Sequence, residues 1–211
     1  IENADEGIDL VLADFSFTLA DNFENLTLTG SGHINGTGNS ANNTIIGNSG
    51  NNTITGGASN DTITTGGGLD NVTTGGGSDV VIVTAGSGTA TQQLVITDFA
   101  SGATVYDTVK DSSTVAASAT MAAFSGSVAA GWALSNGFAT KAGATVADFY
   151  AMAAGLTQSA DKAVAFSYGG DAYVYTMGHA TTAGDESFIK LTGVALTKLG
   201  TTAAADTIVL G

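Results

Sequence analysis

The 211-residue chain has no cysteine, no proline and no arginine, and its five lysines all lie beyond residue 109. Without cysteine there are neither disulfides nor thiolate metal sites, which fits an intracellular protein or a cysteine-free secreted one. Five cations against 19 acidic residues give a net charge of −14 and no basic patch for nucleic acid. No apolar run approaches the roughly 18 residues of a transmembrane segment. Only 11% of residues are charged while 43% are hydrophobic, a folding composition rather than an acidic disordered one. The two histidines, His33 and His179, cannot form an H-E-x-x-H motif, and no G-x-S-x-G elbow occurs. The expected protein is not an enzyme. Its opening Ile-Glu-Asn, without Met or signal peptide, suggests a fragment of something larger.

The acidic residues are unevenly placed. Residues 1–109 carry nine Asp and three Glu with no Lys or Arg, so 12 − 0 leaves −12; the remainder holds seven acids and five Lys, leaving −2. Carboxylates in a half-chain without cations must face water or meet an external positive charge. Glycine is concentrated in the same half, which raises the question of a repeat.

The repeat has a period of nine. Ile45, Ile54, Ile63, Val72 and Val81 follow one another at that spacing, each preceded two positions earlier by Asn43, Asn52, Asp61, Asp70 or Asp79. The units are GNSANNTII (38–46), GNSGNNTIT (47–55), GGASNDTIT (56–64), TGGGLDNVT (65–73) and TGGGSDVVI (74–82). Each joins a six-residue Gly/Asn-rich loop to a three-residue β-prone step whose middle side chain points inward. Steps this short must stack into a coil. With two units per turn, residues 18 apart lie one above the other at about 4.8 Å. Ile45, Ile63 and Val81 then line one wall, and Ile54 and Val72 the other. Asp61 falls on Asp79, where two carboxylates about 5 Å apart repel by about 3 kcal/mol at an effective dielectric of 20. A divalent cation between them reverses the sign, and hard oxygen ligands in flexible loops favour Ca²⁺.

These units resemble the G-G-x-G-x-D-x-U-x nonapeptide of the RTX (repeat-in-toxin, haemolysin-type) calcium-binding family. The resemblance implies a right-handed parallel β-roll with Ca²⁺ held between loops 18 residues apart. Transferred by motif position, one site takes Gly57, Ser59 and Asp61 with Thr74, Gly76 and Asp79. A second takes Asn48, Gly50 and Asn52 with Thr65, Gly67 and Asp70. A third takes Asn39, Ala41 and Asn43 with Gly56, Ala58 and Asp61. Asn43 and Asn52 depart from the motif by being neutral, and a stacked amide ladder without metal is the alternative at those positions. Leu94–Phe99 resembles the family's exit motif, which makes Asp98 a further ligand.

Before the repeats, Ile8/Leu10/Leu12, Phe15/Phe17/Leu19 and Leu26/Leu28 alternate with the period of strands and extend the roll upstream. After it, Thr145–Asp148 forms a capping box for a helix with Val146, Phe149, Ala153 and Leu156 on one face. Residues 163–176 read as a hairpin turning at Gly169-Gly170, pairing Phe166 with Tyr173 and Val164 with Tyr175. Phe188–Thr192 reads as another strand. The expected fold is mainly β: irregular coils over 1–37, the RTX roll over 38–105, and a smaller mixed β/α cap over 106–211.

The ending Asp206-Thr-Ile-Val-Leu-Gly211 resembles the uncleaved signal of type I exported RTX proteins. The resemblance therefore implies a type I secretion exporter as partner, with self-association or cell-surface polysaccharide as the further expectation. It also implies a secreted, extracellular or cell-surface location on a Gram-negative bacterium. The Ala/Thr/Gly/Ser-rich composition is similar to surface-layer proteins and adhesins. The expected function is a calcium-dependent folding and secretion module of such a protein; the alternative is the export tail of a secreted metalloprotease or lipase.

Overall fold

Consecutive nine-residue units cannot lie on the same wall, because each loop reverses the chain between one inward aliphatic and the next. The computed structural model describes residues 7–84, 94–98, 108–111, 122–123, 129–135, 138–154, 156, 162–177, 187–192, 199–200 and 207–210. Within it the chain winds between two parallel sheets, forming a β-roll of about four turns. The first wall runs through Leu10–Ala13, Asn25–Leu28, Thr44–Ile46, Thr62–Thr64, Val80–Val83 and Thr108–Asp111. The second runs through Phe17–Thr18, Gly36–Thr37, Thr53–Gly57, Asn71–Gly75 and Leu94–Ile96.

The register follows the repeat. Ile45 pairs with Ile63 and Ile63 with Val81, while Ile54 pairs with Val72, each 18 residues apart. All five aliphatic side chains are fully buried. The upstream segments join both walls as expected: Leu26 stacks over Ile45, and Gly36 over Ile54. At Gly36 the space of the missing side chain is taken by Leu26, Leu28 and Ile45. Alternation in the first strand carries its large apolar side chains outward, so Ile8, Leu10 and Leu12 are exposed while Ala13 is buried.

The cap continues the roll's second wall. Leu94–Ile96 pairs in parallel with Ser187–Leu191, which is followed by the antiparallel strands Asp171–Met177 and Lys162–Tyr168. The hairpin has the expected register, Phe166 opposite Tyr173 and Val164 opposite Tyr175, and both turn glycines have positive φ. This sheet buries both faces. Ala165, Ala172, Val174, Ile189 and Leu191 extend the roll's core. Val164, Phe166, Tyr173, Tyr175 and Phe188 face the helix Val146–Ala154.

The helix starts where the capping box places it: Asp148 N–H donates to Thr145 Oγ1 at 3.2 Å, and Thr145 N–H donates to Asp148 Oδ2 at 2.9 Å. Phe149 is its main buried residue, stacked on Phe166 with ring centroids 5.3 Å apart; Met152 is also buried. Lys190 pairs with Asp171 at 2.9 Å on the sheet's flank. Of the C-terminal string, Thr207–Leu210 forms a strand antiparallel to Thr108–Asp111. Asp206 and Gly211 lie outside the described residues. No helix among the described residues is long and apolar enough to cross a membrane.

Candidate metal centre

The loops between the walls are built from two kinds of backbone. In the units starting at 56, 65 and 74, the second position (Gly57, Gly66, Gly75) and the fourth (Ser59, Gly68, Gly77) all have left-handed φ, between 68° and 127°. In the units starting at 38 and 47, Asn39, Ala41, Asn48 and Gly50 do not. Left-handed backbone costs a side-chain-bearing residue roughly 1–2 kcal/mol, which favours Gly there; Ser59 is the departure. Second-position glycines also lie against the preceding coil, since a Cβ on Gly57 would run into the Asn39 carbonyl and one on Gly75 into the Gly57 carbonyl.

Sixth-position side chains point into the gaps between loops and are buried: Asp61, Asp70 and Asp79 are each no more than 2% exposed. One oxygen of each is held by the coil above. Asp61 Oδ1 accepts from Asn43 N–H at 2.8 Å, Asp70 Oδ1 from Asn52 N–H at 2.8 Å, and Asp79 Oδ1 from Asp61 N–H at 2.7 Å. The second oxygens of Asp61 and Asp70 are buried without a hydrogen-bond donor. Lone pairs in that position are costly unless a proton or a cation meets them. Burial accordingly pushes the Asp61 carboxyl up to about 6 and that of Asp70 up to about 7, against an opposing hydrogen bond from the Asn43 or Asn52 amide.

The free oxygen of Asp61 faces the loop 18 residues on. A Cβ on Gly56 would lie 2.5 Å from Asp61 Oδ2 and run into the Thr74 carbonyl oxygen. The glycine thus leaves open a cradle in which a carboxylate and a carbonyl from successive loops converge. Of the three candidate ligand sets, the one built on Gly57, Ser59, Asp61, Thr74, Gly76 and Asp79 is the set that combines this cradle with left-handed loops on both sides. Among the described residues no three His, Cys, Asp or Glu side chains come together, so backbone carbonyls must supply the remaining ligands. A donor set of oxygens alone, largely neutral and on loops, fits Ca²⁺.

In the second and third sets an amide stands beside the cradle in place of a carboxylate. Gly47 and Gly38 leave the same cradle, with the Thr65 or Gly56 carbonyl on one side and Asn52 or Asn43 on the other. There, however, Asn52 Oδ1 accepts from Asn48 N–H at 3.0 Å, and Asn43 Oδ1 accepts from Asn39 N–H at 2.7 Å. Their amide nitrogens donate to Ile34 O at 2.7 Å and to Phe23 O at 3.1 Å. These bonds run within the loop and to the preceding coil.

Asp98 sits on the same loop edge with both oxygens in use. Oδ1 accepts from Thr74 N–H at 2.7 Å and Thr74 Oγ1 at 2.9 Å, and Oδ2 accepts from Gly75 N–H at 2.8 Å. It clamps the last described loop from below. An outer ladder escaped the sequence reading although its signal was present. Fifth-position Asn42, Asn51 and Asn60 accept through Oδ1 from the N–H of Asn60, Leu69 and Ser78, one coil on. Asn at every ninth position was the clue.

A coil of short parallel strands with buried carboxylates and carbonyls meeting between its loops defines a β-roll with room for cations between its turns. Residues 37–72 and 60–90 match the family model of the RTX calcium-binding nonapeptide repeat, in four copies. This part of the chain is an RTX calcium-binding repeat region, and its cofactor is calcium. No curated protein matches the chain.

Proposed function

We propose that this chain is a calcium-dependent folding and type I secretion module of a bacterial exported protein of the surface-layer or adhesin kind, whose roll closes around ions outside the cell. Supporting this is the donor-free, buried second oxygen of Asp61, with that of Asp70, in a half-chain that contains no Lys or Arg. At low calcium these buried carboxylates oppose folding, and a chain that stays unfolded suits passage through a narrow exporter. At high calcium each site adds stability as RT ln(1 + [Ca]/Kd), about 1.4 kcal/mol for tenfold excess over Kd.

The principal ion would be held by Gly57, Ser59, Asp61, Thr74, Gly76 and Asp79, with Asp70 belonging to a neighbouring site. The surface-layer reading, rather than carriage of a hydrolase, rests on the Ala/Thr/Gly/Ser-rich composition.

Calcium titration of the purified chain, followed by far-UV circular dichroism and calorimetry, tests the folding step. The expected result is a gain of β signal with heat of binding, both lost with chelator. Unchanged spectra and melting temperature in chelator would remove the proposal. Calcium-dependent sheet formation by the same protein tests the surface-layer role.

A further inference from the structure

We propose that Asn39 and Asn48 are built-in substitutes for a cation. Their side-chain NH₂ groups bridge successive loops where calcium bridges the later ones, so the coils up to residue 52 hold together without metal. The inference rests on the calcium reading above and divides the roll into two parts.

The same device occurs twice with the same spacing. Asn39 Nδ2 donates to Ala20 O at 2.8 Å and Phe23 O at 2.7 Å, 19 and 16 residues back. Asn48 Nδ2 donates to Thr29 O at 3.1 Å and Gly32 O at 3.0 Å, again 19 and 16 residues back. Each amide therefore reaches two carbonyls of the preceding loop, as a cation between loops would. Its oxygen is also fixed: Asn39 Oδ1 accepts from Ala41 N–H at 2.9 Å and Asn48 Oδ1 from Gly50 N–H at 2.8 Å.

Sixth-position amides reinforce the bridge. Asn43 Nδ2 shares the Phe23 carbonyl at 3.1 Å, and Asn52 Nδ2 donates to Asn48 Oδ1 at 3.0 Å. An NH₂ group offers two donors and no net charge, so it satisfies converging carbonyls without requiring carboxylates beside it.

Further along, both positions change together. The second position becomes Gly57, Gly66 and Gly75, where the left-handed backbone and the carbonyl just above leave no place for a side chain. The sixth becomes Asp61, Asp70 and Asp79. Where the protein ceases to supply a donor, it begins to supply carboxylates. The metal-independent coils then serve as a formed edge on which the calcium-dependent strands pair, beginning at Thr44↔Thr62 and Thr53↔Asn71.

Hydrogen exchange of the whole chain, read by mass spectrometry in EGTA and in millimolar calcium, tests this. Segment 25–28 is expected to exchange at the same rate in both, whereas 62–64, 71–76 and 80–83 slow at least tenfold with calcium. The double variant Asn39→Ser/Asn48→Ser is expected to speed calcium-free exchange of 25–47 at least tenfold, and to leave the calcium response of 62–83 in place. Equal calcium sensitivity in both segments, or a double variant with unchanged calcium-free exchange, would overturn the amide substitution and leave calcium-dependent folding standing. No calcium effect in any segment would overturn both.

Discussion

Roll and cap share a continuous sheet, but each nine-residue unit of the repeats buries a single aliphatic side chain, whereas the cap buries a cluster of aromatic rings. In the repeats the apolar core is Ile45, Ile54, Ile63, Val72 and Val81, about 1.5–3 kcal/mol each. Against this stand loops whose ordering costs about 1–2 kcal/mol per residue, most for glycine. In the cap, Phe149 alone contacts Trp132, Phe166 and Phe188 with centroids 5.3–6.2 Å apart. A fold stabilised by packing requires no ion; a fold stabilised by stacked loops must satisfy its carbonyls and carboxylates by some other means. On the proposed reading, calcium is a local requirement of the roll rather than a property of the whole chain.

Replacing the central side chain of each region tests that division most severely. Phe149→Ala is expected to destabilise the cap by about 3–5 kcal/mol equally with and without calcium, in denaturant titrations followed by tryptophan fluorescence. Ile63→Ala, costing about 2–5 kcal/mol in the roll, should instead raise the calcium concentration needed for folding. If both variants respond alike to calcium, the two regions are one cooperative unit and the division fails.

A narrower test uses two glycines near Asp61 and Thr74, Gly56 in the cradle and Gly76 on the loop that faces it. Gly56→Ala would place a methyl group in the cradle between Asp61 Oδ2 and the Thr74 carbonyl, whereas a Cβ on Gly76 meets nothing within 4 Å. Calorimetry should show calcium affinity at least tenfold weaker for Gly56→Ala and near normal for Gly76→Ala.

The pH dependence should change sign with calcium. Burial raises Asp61 from 3.8 to about 6 and Asp70 from 3.8 to about 7. In calcium-free buffer, the folded state therefore binds protons more tightly than the unfolded chain. Its stability from these groups is full below about pH 4 and is lost as pH rises through about 6 to 7. With calcium the ion stabilises the charged form, so acidification through the same window should destabilise the roll. Urea midpoints across this range, with and without calcium, check both directions. The smallest effect is expected at Thr145→Ala, which removes the helix cap and should lower cap stability by about 1 kcal/mol, independently of calcium, as measured by the melting temperature.

The repeat made the roll legible because period nine carries both the inward aliphatic and the loop side chain, and a stack of 18-residue turns has a single register that aligns them. Ile45, Ile63 and Val81 fell on one wall for that reason, and the hairpin register followed from Gly169-Gly170 and alternating apolar residues. The capping box at Thr145–Asp148 is equally local, so it too could be read directly. Upstream, alternation revealed strands but not which face turned inward: Leu10 and Leu12 look outward, while Leu26 and Leu28 are buried.

By itself, then, the sequence determined the parallel roll, the hairpin and the calcium chemistry, each of which depends on residues at fixed short spacing. Only the tertiary structure decided how each loop gap is filled. Asn39 reaches carbonyls 16 and 19 residues back, Asp98 spends both oxygens on Thr74 and Gly75, and Leu94–Ile96 joins Ser187–Leu191. The physical reason is that an amide or carboxylate oxygen can satisfy a backbone donor or a metal equally well. Which one it meets is set by loop backbone conformation and by the coil lying next to it, and neither is written in the period of the repeat.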